Sequence, residues 1–296
     1  MIPAHYFSER DEEIYELWKN KDTACNPLMA DHWSDRSPLH AAAFQGRLVY
    51  LRNLVEHGMK VDLLTVDSVS PLHEACLSGH ADCVKFLLDH GADPDRETSD
   101  GATPLFYACC SGNAACVRLV LECSSSLMTD CPLVSPIHEA ARKEHAQILE
   151  FLVRSGAQID TELPGLGTPL FSACMSKAID CADFLLHAGA DVNRGCGKES
   201  PLHAAVRRGD VCLVNLLLDF GADDRCRNAE GKTPVELSQE DSAVRTALET
   251  RDELQKPRSL YQLCRVLIRY WLGGNRQLSV SNLPIPQVLK DYLLYR

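Results

Sequence analysis

Apolar residues in this chain recur in a two-part pattern along most of its length. The first part opens on Ser or Thr, Pro and an aliphatic residue, then runs into a small pair such as Ala42-Ala43 or Ala75-Cys76. The second sets apolar side chains at i, i+3 and i+4, as in Val84, Leu87, Leu88 and again in Val117, Val120, Leu121, which is one face of a helix. Each unit therefore predicts two helices, brought close by the short side chains of the first. Most units end in a glycine suited to a left-handed cap: Gly58, Gly91, Gly156, Gly189 and Gly221.

The opening tetrapeptide occurs seven times: at Ser37-Pro38-Leu39-His40, Ser70-Pro71-Leu72-His73, Thr103-Pro104-Leu105-Phe106, Ser135-Pro136-Ile137-His138, Thr168-Pro169-Leu170-Phe171, Ser200-Pro201-Leu202-His203 and Thr233-Pro234-Val235-Glu236. The steps are 33, 33, 32, 33, 32 and 33 residues. Ser and Thr accept from free helix amides as N-caps, and Pro fits the first helical position, where its missing N–H costs nothing. Seven helices are expected to start here.

This periodicity resembles the ankyrin repeat, over about Ser37 to Thr250. The resemblance implies units of two antiparallel helices and a projecting hairpin, stacked as a solenoid. Two places depart from it. The third repeat ends in Cys123-Ser124-Ser125-Ser126 instead of Gly-Ala, and the seventh shows no second helix pattern after Leu237, as a truncated terminal cap would.

Composition narrows the class. The chain has 296 residues, 45% hydrophobic and 24% charged, ordinary globular usage. No apolar run approaches the roughly 18 residues of a membrane span. Residues Met1 to Asn20 hold five acids and no apolar signal core, so the expectation is a soluble protein of the cytoplasm, with the nucleus as a second compartment. A net charge of −11 argues against nucleic-acid binding. That charge is uneven: Pro257 to Arg296 carries six basic residues and one acid, hence +5 against −16 for the rest, which marks a second functional unit.

In this tail Leu260, Leu263, Cys264, Leu267, Ile268 and Trp271 share one helical face, with Ser259 as cap and Gly273-Gly274 as stop. Spacing alone is equally that of a helix packed on the last repeat. The pattern is also similar to an elongin-binding box, and Leu283-Pro284-Ile285-Pro286 is similar to a cullin-selecting box. Together, after ankyrin repeats, they resemble a SOCS box, and the chain resembles the ankyrin repeat and SOCS box family. That resemblance implies that Leu260 and Cys264 enter an apolar groove of elongin C, with Leu263, Leu267 and Ile268 extending the contact or closing the box on its own helices, and with elongin B as a further partner. It implies that Leu283, Pro284, Ile285 and Pro286 meet cullin-5 with its RING-box protein, and that Val288, Leu289, Tyr292 and Leu293 form a last helix.

The expected architecture is all-α: an N-terminal arm (1–36), an ankyrin-repeat solenoid of six full repeats and a truncated seventh (37–250), a linker (251–258) and a small three-helix SOCS box (259–296). The expected function is a substrate-recognition adaptor of an elongin B/C and cullin-5 ubiquitin ligase. An ankyrin scaffold or inhibitor whose tail is only a structural cap remains the alternative. In such solenoids the target meets the ends of the first helices, here Phe44-Gln45, Leu77-Ser78, Cys110-Ser111, Arg142-Lys143, Met175-Ser176 and Arg207-Arg208. These run from apolar to basic, as a target with an apolar part and an acidic part requires; ordinary solvated helix ends would look the same. In the arm, Ile14, Leu17 and Trp18 form either a cap on the first repeat or a further target contact.

No phosphate loop, dinucleotide motif or nucleophile context appears, so no catalytic residue and no cofactor are expected. His40, His73, His138 and His203 occupy one repeat position, which reads as a bond near the cap. His73 and Cys76 have ligand spacing, but no second pair completes a metal set. Cys76, Cys83, Cys109, Cys116, Cys174, Cys181 and Cys212 read as buried small hydrophobes.

Overall fold

A computed structural model of the chain describes residues 36–124, 135–240, 242–253, 286, 287 and 290. The arm, the stretch Ser125 to Val134 and nearly all of the tail lie outside the described residues. The described residues are helical, with no strand beyond two isolated bridges. They belong to two compact units, one ending at Pro136 and one beginning at Ile137.

The first unit contains α1 (Pro38–Phe44), α2 (Leu48–Glu56), α3 (Pro71–Leu77), α4 (Ala81–Asp89), α5 (Pro104–Ser111) and α6 (Ala114–Cys123). The second contains α7 (Pro136–Arg142, all but its first residue), α8 (Ala146–Arg154), α9 (Pro169–Ser176), α10 (Ile179–Ala188), α11 (Pro201–Arg208), α12 (Val211–Asp219), α13 (Pro234–Leu237) and α14 (Ala243–Glu253). Six of the first helices have only seven or eight residues, too short to stand alone in water. They persist because neighbours cover them. In the first unit α1 packs on α3 and α3 on α5, while α2 packs on α4 and α4 on α6. In the second, α9 packs on α11, α11 on α13, α8 on α10 and α10 on α12. The aliphatic residue two after each cap, Leu39, Leu72, Leu170 or Leu202, is wholly buried and contributes about 1.5–3 kcal/mol relative to exposure. The small pairs Ala42-Ala43, Ala75-Cys76 and Ala173-Cys174 are buried to within 1%, which sets the close approach.

The cap histidines join one repeat to the next. At Ser37, Ser70 and Ser200 the backbone N–H donates to Nδ1 of His40, His73 and His203. Nδ1 is therefore unprotonated, and Nε2 carries the hydrogen. That hydrogen is donated 29 residues ahead: from His40 to the Val69 carbonyl (3.0 Å), His73 to Ala102 (3.2 Å), His138 to Gly167 (3.0 Å) and His203 to Lys232 (3.2 Å). Each acceptor immediately precedes the next cap. Thr168, whose repeat carries Phe171 at the cap-histidine position, accepts from the Phe171 amide and donates to the Arg194 carbonyl at 2.8 Å.

The hairpins add a second tie. Asp62 accepts from the Asp93 amide, Asp160 from that of Asp191, and Asn193 from that of Asp223. Each second helix usually exits through a left-handed residue, Gly189 with φ 118° being the most open, a backbone that glycine adopts without cost. The third repeat differs as its sequence suggested: Ser124 is extended (φ −74°, ψ 140°) and its hydroxyl donates to Asp95.

After Leu237 the structure does contain a second helix, α14, packed on α12 and α13. Its apolar face is reduced to Val244 and Leu248, both buried, in an otherwise polar sequence. Two residues at i and i+4 were too sparse a stripe to read.

Burial holds the bridging histidines neutral: His73 is lowered to about 4, and His138 and His203 are lowered too. The unfolded chain takes up these protons below pH 6.5, whereas the folded chain refuses them until lower pH, so stability falls with acidification. For His73 alone the loss between pH 7.5 and 5 is about 2 kcal/mol. Glu74, raised chiefly by burial, acts in the opposite direction and offsets part of it. Chemical denaturation at pH 7.5 and 5 checks this: the midpoint drops at pH 5, and His73→Gln flattens the dependence between pH 6.5 and 4.

Candidate protein-binding face

The last turn of each first helix leaves the core, because burial there ends with the small pair. Phe44, Leu77 and Met175 are large apolar side chains 37–39% exposed at these ends. Cys110 is half-buried at the equivalent place in α5, and Arg142, Lys143, Arg207 and Arg208 are exposed at the ends of α7 and α11. The structure brings Phe44, Leu77 and Cys110 to successive, packed first helices in the first unit. It places the basic residues and Met175 in the second unit.

Two of the four cations are already engaged. Arg142 forks onto Glu139, with Nε to Oε2 at 3.0 Å and Nη2 to Oε1 at 2.6 Å. Arg207 lies 2.8 Å from Glu199 and 3.4 Å from Glu230. Neither Lys143 nor Arg208 makes an ion pair among the described residues. Exposed pairs of this kind contribute little to stability, but they reduce the positive field of the face. In the turns that follow, Lys177 holds a left-handed backbone (φ 65°) where Gly46, Gly79, Gly112 and Gly209 stand in other repeats.

The residue after the cap histidine was missed as a site position. It is Ala41, Glu74, Tyr107 (after Phe106), Glu139, Ser172 and Ala204 in successive repeats. The repeat alignment carries the signal, since a buried acid at position 74 replaces alanine.

Of the tail residues, Leu260, Leu263, Cys264, Leu267, Ile268, Leu283, Pro284 and Ile285 lie outside the described residues; Pro286 is described, and it is exposed. Ile14, Leu17 and Trp18 also lie outside.

The cysteines follow their repeat positions with one correction. Cys76, Cys109 and Cys174 are wholly buried, and Cys83, Cys116 and Cys181 are buried on the second helices. Burial is the main reason that Cys83 and Cys116 rise to about 11 and Cys181 to about 12, so these thiols are poor nucleophiles. Cys212, expected with them, is exposed. The other three are third in their helices, whereas Cys212 is second and Leu213 takes the buried third place. Thiol labelling of the native protein should therefore modify Cys212 and Cys123 rapidly, with Cys76, Cys109 and Cys174 reacting only after unfolding; peptide mapping by mass spectrometry reads the order.

Sequence models of ankyrin repeats in three copies match residues 4–98, 63–131, 93–163 and 129–196, and one of many copies matches 185–238. A SOCS box model matches residues 256–294. Ankyrin repeat and SOCS box protein 11 of Danio rerio is 55% identical over 92% of this chain and 91% of its own. Protein 5 of Mus musculus is 53% identical over 89% and 80%, and protein 9 of Mus musculus 52% over 91% and 92%. Among solved structures, the human ASB11 ankyrin repeat domain superposes with a TM-score of 0.71 at 48% identity, covering 73% of this chain and 98% of that one. The Bcl-3 ankyrin repeat domain gives 0.61 at 27% identity, with 72% and 98% covered.

Proposed function

The chain belongs to the ankyrin repeat and SOCS box family, and on that premise we propose that it is the target-recognition subunit of an elongin B/C and cullin-5 ubiquitin ligase. The family supports an adaptor role. The repeats hold a target protein; the SOCS box joins the ligase core. The observation carrying this reading is the conjunction on one chain of a near-continuous ankyrin match and a SOCS box match at residues 256–294. Leu260 and Cys264 anchor elongin C, Leu263, Leu267 and Ile268 widen that contact, and Leu283, Pro284, Ile285 and Pro286 select cullin-5 with its RING-box protein. Such an adaptor does no bond chemistry. It raises the effective concentration of a target lysine beside a ubiquitin-loaded enzyme.

For the target we propose apolar contacts at Phe44, Leu77 and Cys110 in the first unit, and contacts at Arg142, Lys143, Met175, Arg207 and Arg208 in the second. No described helix is long and apolar enough to cross a membrane, and a cytoplasmic and nuclear location fits ligase partners of this kind.

Co-purification tests the ligase assignment. Leu260→Asp combined with Cys264→Lys should abolish recovery of elongins B and C and of cullin-5, with repeat unfolding unchanged. Alanine at Leu283 through Pro286 should remove cullin-5 alone. A folded double mutant that still recovers the elongins would point instead to a scaffold with a packed tail.

A further inference from the structure

Glu74 sits directly after the cap histidine of the second repeat, between Ala41 and Tyr107 at the same position of the flanking repeats. Phe44, Leu77 and Cys110 follow three residues later, on the same helix face as their partners. Because α1, α3 and α5 pack side by side, these six residues form two adjacent rows, one holding Glu74 and Tyr107, the other apolar.

Glu74 is 2% exposed, yet among the described residues neither carboxylate oxygen accepts a hydrogen bond. Arg36 Nη2 lies 2.8 Å from Oε1, close enough for an ion pair but without hydrogen-bond alignment. A buried carboxylate so incompletely satisfied is costly to maintain. The fourth repeat resolves the same problem internally: Glu139 follows His138, and Arg142, three residues on, forks onto both its oxygens. In the second repeat the place of that arginine is taken by Leu77. The seat is present and its fork is absent.

We propose that Glu74 is the seat for an arginine side chain of the target protein, which displaces Arg36 and binds both oxygens of Glu74, while a neighbouring apolar target residue rests on Leu77 and Cys110. The proposal rests on the reading that the repeats select the target. Arginine fits better than lysine because a planar fork satisfies two carboxylate oxygens at once and lies against an aromatic ring. Tyr107 supplies that ring, edge-to-face with His73 at 5.4 Å. Burial is the main reason that its hydroxyl is held above the usual range, with Asp100, Cys110 and Glu74 adding to it. His73, neutral at physiological pH, does not repel an incoming cation.

The test uses the full chain and a blocked pentapeptide, acetyl-Gly-Leu-Arg-Leu-Gly-amide, titrated calorimetrically or by NMR at low salt. Binding should weaken at least tenfold when citrulline, neutral and nearly isosteric, replaces arginine, and at least tenfold in Glu74→Gln. Arg36→Ala removes the resident competitor and should bind the peptide at least threefold more tightly, an effect that a merely structural role for Arg36 does not produce. Equal binding of the citrulline peptide, or unchanged or weaker binding by Arg36→Ala, overturns the proposal. Thermal unfolding controls for Glu74→Gln; if that variant does not fold, the citrulline and Arg36→Ala comparisons decide. Elongin recovery from the same samples separates the two readings, since its loss counts only against the ligase assignment and peptide results only against the seat.

Discussion

The hydrogen bond from a cap histidine to a carbonyl 29 residues ahead is the constraint on which the repeat architecture depends. Its geometry fixes three things together. Nδ1 accepts from the cap amide and so starts the helix; Nε2–H reaches the residue just before the next cap and so fixes the spacing; and the ring is buried, so it stays neutral. Helices of seven or eight residues are marginal alone, and a single side chain that caps one helix and positions the next makes folding of each repeat conditional on its neighbour. Thr168 also caps its helix and ties it forward, with a hydroxyl that accepts from Phe171 and donates to Arg194 in the hairpin before the next cap. Different chemistry therefore meets one demand, that the cap residue serve two repeats.

With the cap and the small pair committed to the stack, the remaining first-helix positions are left open. They vary from Ala41 and Phe44 through Glu74 and Leu77 to Glu139 and Arg142. Some of this variation is spent internally, as where Arg142 satisfies Glu139, so the charge of a residue in the sequence is not the charge it offers a partner. By that measure the positive charge that the second unit offers depends more on Lys143 and Arg208 than on Arg142 and Arg207.

The caps, the exit glycines and the burial of most cysteines were legible because each depends on contacts repeated at a fixed interval. Periodicity makes a long-range contact look local. What escaped was whatever broke the period: α14, whose apolar stripe shrinks to Val244 and Leu248, and Cys212, displaced one place from the buried register by Leu213. The pairing of Arg207 with Glu230 joins residues from neighbouring repeats that no repeat pattern aligns. The poor satisfaction of Glu74 was illegible for a different reason, since it depends on how the described residues around a buried group are aligned, Arg36 among them, and alignment leaves no motif.

This division between stack and face explains how such a protein can change its target while keeping its fold. A substitution at Phe44 or Lys143 alters an exposed end and leaves every bridging histidine in place. A substitution at His73 removes a helix cap and two inter-repeat acceptor bonds, to Arg96 and Ala102, at once, and its cost spreads to the hairpin that those carbonyls belong to. Stability and recognition are thus carried by residues one position apart on the same seven-residue helix, His73 and Glu74. They are separable because one side chain points along the stack and the other lies in the row of variable residues.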